Sequence, residues 1–305
     1  MRLNDAITTY VDLKQSMGMR FRGAHAILKA FQRQAGDVDV AAVTPEVVAA
    51  FLQPRGPITA TWLHKHRTLR LFYHHWITRG LLPHGPVPTT VPRVTSTFVP
   101  HIYSDEELRR LLAGVEANQT GKGGTIAAVT LRAFLLLLYG TGLRLGEALA
   151  LRREDVDLRA GMILIRDTKF YKSRHLPIGP RLTHALAVYI EAVPTDCRPT
   201  PTAFFVSRRG NSLPHQTVRY NFASLRKRVG VHGRMHDLRH TFAVHRLLAW
   251  YREGADVQRC LPHLSTYLGH ARIACTQRYL TMIPELLEQA SRRFETYARS
   301  EVRHE

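Results

Sequence analysis

The chain has little cysteine, few acids and no long apolar run, and each shortage excludes something. It holds 3 cysteines, Cys197, Cys260 and Cys275. They are scattered and odd in number, so they make neither a disulfide framework nor the paired spacing of a zinc site, and they fit a reducing cytosol. The longest apolar run, Ala133-Phe-Leu-Leu-Leu-Leu-Tyr139, lies between Arg132 and Arg144. It is far short of the ~20 residues a membrane span needs and reads as a buried core helix. The opening MRLNDAITTY lacks the apolar stretch of a signal peptide. No membrane partner is expected, and the chain is placed in the cytoplasm.

Asp and Glu together number 24 against 43 Lys and Arg, a net charge of +19. So large an excess asks for a polyanion, and with a membrane set aside that polyanion is nucleic acid. No acidic cluster of metal-ligand type and no nucleotide-binding loop is found, so neither a metal nor another cofactor is expected. A 45% hydrophobic content over 305 residues supports real cores and two domains.

Residues 1–80 read as a helical domain. Thr44-Pro45-Glu46 is a helix start, with Thr as cap and Pro in the first turn. A helix over Thr59–Arg79 buries Trp62, Leu69, Phe72, Tyr73 and Trp76 at helical spacing. Between them stand His64, Lys65, His66, Arg67, Arg70, His74, His75 and Arg79. Such a basic face suits phosphates, with Lys65, Arg67 and Arg70 as candidate DNA contacts. Residues 81–103 are rich in proline and nearly aperiodic, as a linker is. Ser104-Asp-Glu-Glu107 is a capping box opening a second domain over 104–305. There the pattern predicts helices near 104–114, 125–140 and 144–151, then a β-hairpin from Met162–Arg166 and Arg174–Ile178. Ala203–Val206 is a candidate third strand, and helices follow from Pro214. The fold class is mainly α with a small antiparallel β-sheet.

Four stretches carry chemistry. In Thr141-Gly-Leu-Arg-Leu-Gly-Glu147 a glycine turn places Arg144 at a helix start, with Glu147 three residues on to orient it. The hairpin turn Asp167-Thr-Lys-Phe-Tyr-Lys-Ser-Arg174 offers Lys169 and Lys172. In His236-Asp-Leu-Arg-His240 the two histidines and Arg239 share one helix face. In Leu268-Gly-His270 a glycine turn presents a histidine, and Tyr279 follows nine residues later.

These motifs, in this order and spacing, resemble the tyrosine recombinase (phage integrase) family over about residues 100–290. The resemblance implies an N-terminal core-binding domain, a catalytic domain and a site-specific DNA recombinase of integrase or transposase type. It would cut and rejoin DNA through a 3′-phosphotyrosine. The same chemistry in a type IB topoisomerase, and a catalytically silent DNA-binding protein of this fold, are the alternatives. By the resemblance the catalytic residues are Arg144, Lys169, His236, Arg239, His270 and Tyr279, with Glu147 and His240 in support. Lys172 and Arg174 join the DNA contacts, and Lys172 rivals Lys169 because the hairpin departs from the family's Gly-Lys-Gly form. Double-stranded DNA is the implied partner, at the nucleoid. Four copies are expected on two sites, with accessory recombinase or DNA-bending partners. A C-terminal helix, Pro284–Tyr297, would dock on its own domain or be exchanged with a neighbour. No arm-binding module is apparent ahead of the helical domain, which favours a transposon or simple integrase type.

Overall fold

The structure, a computed structural model, describes residues 1–54, 56–92, 99–119, 126–166, 173–193 and 203–281, with Glu285, Glu288 and Ser291. The chain forms two compact units, Met1–Phe98 and Val99–Glu305.

In the first unit, α1 (Leu3–Ser16), α2 (Arg22–Ala35), α3 (Pro45–Leu52) and α4 (Ala60–Thr78) enclose one core. Thr44 and Pro45 open α3 as the sequence predicts. The longest helix, α4, buries Leu69, Phe72, Tyr73 and Trp76, at positions three and four apart, and Phe72 meets Tyr10 of α1 edge-on at 5.5 Å. Leu82 is buried in this core and Val87 packs on it, so the proline-rich stretch supplies packing here.

The second unit begins with the Ser104 capping box: the Ser104 hydroxyl accepts from the Glu107 N–H, and the Glu107 carboxylate accepts from the Ser104 N–H at 2.9 Å. Helices α5 (Asp105–Ala113) and α6 (Val115–Gln119) follow. Then α7 (Ala128–Thr141) carries the apolar run through the middle of the core, with Leu131, Phe134, Leu137 and Leu138 buried. A short α8 (Leu145–Leu149) leads into the sheet, β1 (Val156–Asp157), β2 (Met162–Ile165) and β3 (Arg174–Pro177), antiparallel in that order. Ile163 stands opposite Leu176, both on the core face. The rest is helical: α9 (Pro180–Ala192), α10 (His215–Arg228), α11 (Asp237–Arg252), α12 (Val257–Leu268) and α13 (Ala274–Gln277).

The third strand is not the one the alternation suggested. Val156–Asp157 takes that place, while Ala203 and Val206 make only isolated bridges to Arg152 and Ser212. Phe204 and Phe205 are instead buried core residues. The nearby backbone is satisfied by other groups: Phe204 N–H donates to the Leu151 carbonyl, the Tyr189 hydroxyl donates to the Phe204 carbonyl, and Val206 N–H donates to that hydroxyl. Among the described residues no helix is long and apolar enough to cross a membrane.

Phe134 is fully buried and meets Phe205 edge-on at 5.0 Å. Phe134→Ala should destabilise the second unit by about 3–5 kcal/mol, the usual loss for a buried phenylalanine. Urea denaturation followed by far-UV circular dichroism would measure it.

Candidate active site

Two helices of the second unit end in the same way. Gly142 (φ 63°) closes α7 and Gly269 (φ 68°) closes α12, both in the left-handed region that glycine adopts without cost. Close packing demands glycine as well. A Cβ on Gly142 would lie 2.6 Å from Phe242, and one on Gly269 would lie 2.8 Å from the Arg174 guanidinium. The carbonyls around these turns lack partners within their own helices and carry the negative ends of the helix dipoles. Guanidinium groups meet them.

Arg239, in the first turn of α11, donates from Nη1 to the Gly142 carbonyl at 2.7 Å and from Nη2 to the Leu268 carbonyl at 2.8 Å. It is only 3% exposed. Burial, and then the charge of Arg144, bring its pKa down to about 10, which leaves it cationic at neutral pH. Arg144 caps α8. Its Nη2 donates to the Gly269 carbonyl at 3.0 Å and its Nη1 to Glu147 Oε1 at 2.8 Å. Its side chain is 38% exposed, open to a ligand on one side.

Glu147 gathers more than the predicted partner. Besides Arg144 it accepts from Arg174 Nη1 at 3.2 Å and Nη2 at 3.0 Å. Burial works to raise its pKa, but the hydrogen bonds and charge of Arg174, with those of Arg144, outweigh that and hold it below the ordinary carboxylate value. Arg174 therefore sits differently from a DNA contact. Its side chain is 13% exposed, and its Nε donates to the Tyr267 carbonyl at 3.1 Å, so the guanidinium faces inward.

Tyr279 lies beside this cluster, 3% exposed, in a short 3-10 turn after α13. Its hydroxyl is 3.1 Å from His240 Nδ1, and its ring stacks on His270 with centroids 6.2 Å apart. The His270 Nδ1 is held by the Thr276 hydroxyl at 2.8 Å. His236, at the N-cap of α11, meets His240 edge-on at 4.9 Å. So the imidazole touching the tyrosine is that of His240, which sequence reasoning put in support, with His236 behind it. Burial lowers the pKa of His240 to about 4, helped by His236; burial and then Arg239 and Arg144 do the same to His270, also to about 4. His236 is lowered by the same causes, burial first and Arg239 second. Burial raises the Tyr279 phenol, against the pull of Arg239. At neutral pH the site holds neutral imidazoles, a neutral phenol and charged arginines.

The fold thus brings together Arg144, Glu147, His236, Arg239, His240, His270 and Tyr279. Lys169, Lys172 and Tyr171 lie outside the described residues. In the first unit, Arg67 and Arg70 are exposed on α4, while Lys65 rests its ammonium 4.5 Å over the Phe51 ring. The basic face is narrower than its sequence suggests. His66 is buried with Nε2 2.7 Å from the Pro88 carbonyl, and His75 packs between Tyr10 and Trp76. Sequence reasoning missed Thr276, which no spacing marks. It also missed the outer face of α10, where Tyr220, 72% exposed, shares a helix side with Arg219 and Lys227. An aromatic exposed among cations at helical spacing was the available sign. Among the described residues no group of three His, Cys, Asp or Glu side chains is arranged to hold a metal ion.

The histidine shifts have a consequence for stability. The folded values of His240 and His270 lie below the unfolded value near ~6.5. Between the two the unfolded chain binds more protons, so their contribution is present above pH ~6.5 and is lost as pH falls toward 4. The thermal midpoint should fall steadily from pH 7.5 to pH 4.5. His240→Asn with His270→Gln should flatten that fall, as read by calorimetry across the range.

A sequence model of the phage integrase family matches residues 103–284. Among curated proteins, y4rE of Sinorhizobium fredii, described as an integrase/recombinase, is 34% identical over 95% of this chain and 95% of its own length. The tyrosine recombinase XerC of Staphylococcus carnosus is 31% identical over 75% of this chain and 73% of its own. Among solved structures, the Tn1549 transposon integrase in complex with transposon right end DNA aligns with a TM-score of 0.71 at 16% identity, covering 98% of this chain and all of that one. A lambda integrase tetramer bound to a Holliday junction aligns at 0.66 and 18%, covering 92% and 77%. At those identities the two structures speak for the fold.

Proposed function

The chain belongs to the phage integrase family, the tyrosine recombinases, and from that premise we propose that Arg144 and Arg239 grip the phosphate that Tyr279 attacks. The protein is a site-specific DNA recombinase, an enzyme that breaks and rejoins DNA. One observation carries the assignment of roles: a buried tyrosine hydroxyl stands in the same small cluster as two guanidinium groups already fixed by helix-end carbonyls.

The chemistry follows from the charges. Attack of Tyr279 Oη on a phosphodiester forms a phosphorus–oxygen bond while the bond to the 5′ oxygen breaks. Negative charge builds on the non-bridging oxygens, and a planar guanidinium meets two of them with paired donors that a lysine lacks. The phenol must lose its proton. His240, in contact with it and backed by His236, is the acceptor. It is a poor base in the free protein because of burial and neighbouring positive charge, and a bound phosphate opposes both effects. Lys169, or Lys172 in its place, gives a proton to the departing 5′ oxygen. His270 holds the phosphate. The product is a 3′-phosphotyrosine and a free 5′ hydroxyl. A 5′ hydroxyl from another strand reverses the step, with no need of ATP or a metal.

The chain binds DNA. We assign contacts to Arg67 and Arg70 on α4 and to Arg219, Tyr220 and Lys227 on α10, and we place the protein at the nucleoid, where that DNA lies. Four copies on two sites is the assembly we propose. A groove of about 270 Å³ lined by Phe242, Trp250, Leu264 and Tyr267 would receive the amphipathic segment Pro284–Tyr297 of a second copy, a segment largely outside the described residues. A topoisomerase and a silent binding protein of this fold are not favoured by the recombinase relatives.

Incubation with plasmid carrying the DNA that flanks the gene, in EDTA and stopped with SDS, should yield a covalent protein–DNA adduct. Tyr279→Phe should abolish it, and an adduct that persists in that variant would move the nucleophile elsewhere. Arg144→Ala should slow adduct formation by about 10²–10³-fold, the usual loss of one donor to a developing oxyanion.

A further inference from the structure

Arg174 was expected among the DNA contacts, and its surroundings give it another task. It opens β3 opposite Ile165, close to where the segment carrying Lys169 and Lys172 leaves and rejoins the sheet in sequence. From there its guanidinium reaches three parts of the unit. Nη1 and Nη2 donate to the two oxygens of Glu147, whose Oε1 also accepts from Arg144 Nη1. Its Nε donates to the Tyr267 carbonyl in the last turn of α12. Its flat face lies against Gly269, so closely that a Cβ there would be 2.8 Å from Nη1. The Gly269 carbonyl in turn holds Arg144 Nη2 at 3.0 Å, and the next residue is His270.

We propose that Arg174 is a positioning residue for DNA cleavage, one that sets Arg144 through Glu147 and sets the His270 turn through Gly269, and that it does not contact DNA. This rests on the reading of Arg144 as a phosphate-binding group. Arg174 joins the hairpin base, the α8 N-terminus and the α12 C-terminus in a single planar fork. Lysine cannot replace it, because one ammonium on a flexible stem does not present three donors in one plane toward two carboxylate oxygens and a carbonyl. Without the fork Glu147 keeps Arg144 as a partner but loses its own anchor, and Arg144 then samples orientations that miss the phosphate. A 1 Å displacement at such a site is costly in rate and nearly silent in binding.

The test uses Arg174→Lys and Arg174→Met in the full chain, with Glu147→Gln as a size-matched second route should either fail to fold. Thermal midpoints establish folding. Each protein is given two nicked duplexes spanning the cleavage site, one with the ordinary phosphodiester and one with a methylphosphonate at the scissile position, which removes one non-bridging charge. DNA affinity is measured at several salt concentrations.

The expected result has three parts. The salt slope of binding stays that of the native chain, where loss of one phosphate contact would lower it by about 0.9. The cleavage rate at saturating DNA falls on the order of 10–100-fold on the phosphodiester, as when a group orienting a ligand is removed. The native-to-variant ratio shrinks toward one on the methylphosphonate, because the charge that Arg144 must meet is no longer there. The Arg174→Lys, Glu147→Gln double variant then loses no more than its worse parent. A reduced salt slope with a native rate at saturation would make Arg174 a DNA contact and overturn the proposal. Equal slowing on both duplexes would overturn it too, leaving only general support of the fold. Tyr279→Phe runs alongside: adduct surviving in it would refute the nucleophile assignment while leaving the Arg174 ratios readable.

Discussion

The second unit is organised around a buried cation. Arg239 is closed off from solvent, and a guanidinium there without partners would cost several kcal/mol. Two carbonyls from two different helices remove that cost, those of Gly142 and Leu268. The ends of α7 and α12 must therefore converge on the start of α11. Both helices must stop in glycine, since only a residue without Cβ turns left-handed and lets Phe242 and Arg174 pack directly against the turn. Arg144 is caught by the same device on the Gly269 carbonyl.

The second consequence is electrostatic. Arg144, Arg174 and Arg239 surround one carboxylate, Glu147, and the excess positive charge weighs on every titratable neighbour. It keeps Glu147 ionised against its burial. It adds to burial in driving the His270 imidazole to about 4, as His236 does after burial for His240, and it partly offsets the burial that raises the Tyr279 phenol. The free protein therefore carries a protonated Tyr279 phenol beside a weakly basic His240 imidazole. In the proposed reading a phosphodiester brings the missing negative charge and moves the imidazoles toward basicity. A net charge of +19 favours approach to a polyanion.

Much of this was legible in the sequence because the signals are local. Capping at Ser104, the stripe along α4, the buried run in α7 and the glycines after α7 and α12 all depend on residues within a few positions of each other, and helical geometry converts spacing into face directly. Motif order and spacing, through the family resemblance, singled out Arg144, His236, Arg239, His270 and Tyr279, and the fold brings them together although they span 136 positions of chain. What spacing could not supply was contact. Val156–Asp157 and Ala203–Val206 are both short; the first joins the sheet, while the backbone of the second is met by the Tyr189 hydroxyl from a separate helix.

By itself, then, the sequence determined most of the helices, though not α9, together with the two-part organisation of the core, the family and the residue types available for the chemistry, since propensity, periodicity and motif order are properties of the chain. The tertiary structure decided which side chains touch. It put His240 rather than His236 against the Tyr279 hydroxyl, turned Arg174 inward to Glu147, buried His66 under the Pro88 carbonyl, and gave Arg239 two carbonyls lying 97 and 29 residues away in the chain. Those choices rest on burial and on the satisfaction of polar groups. These balances are struck only when distant segments meet, and no stretch of sequence carries them alone.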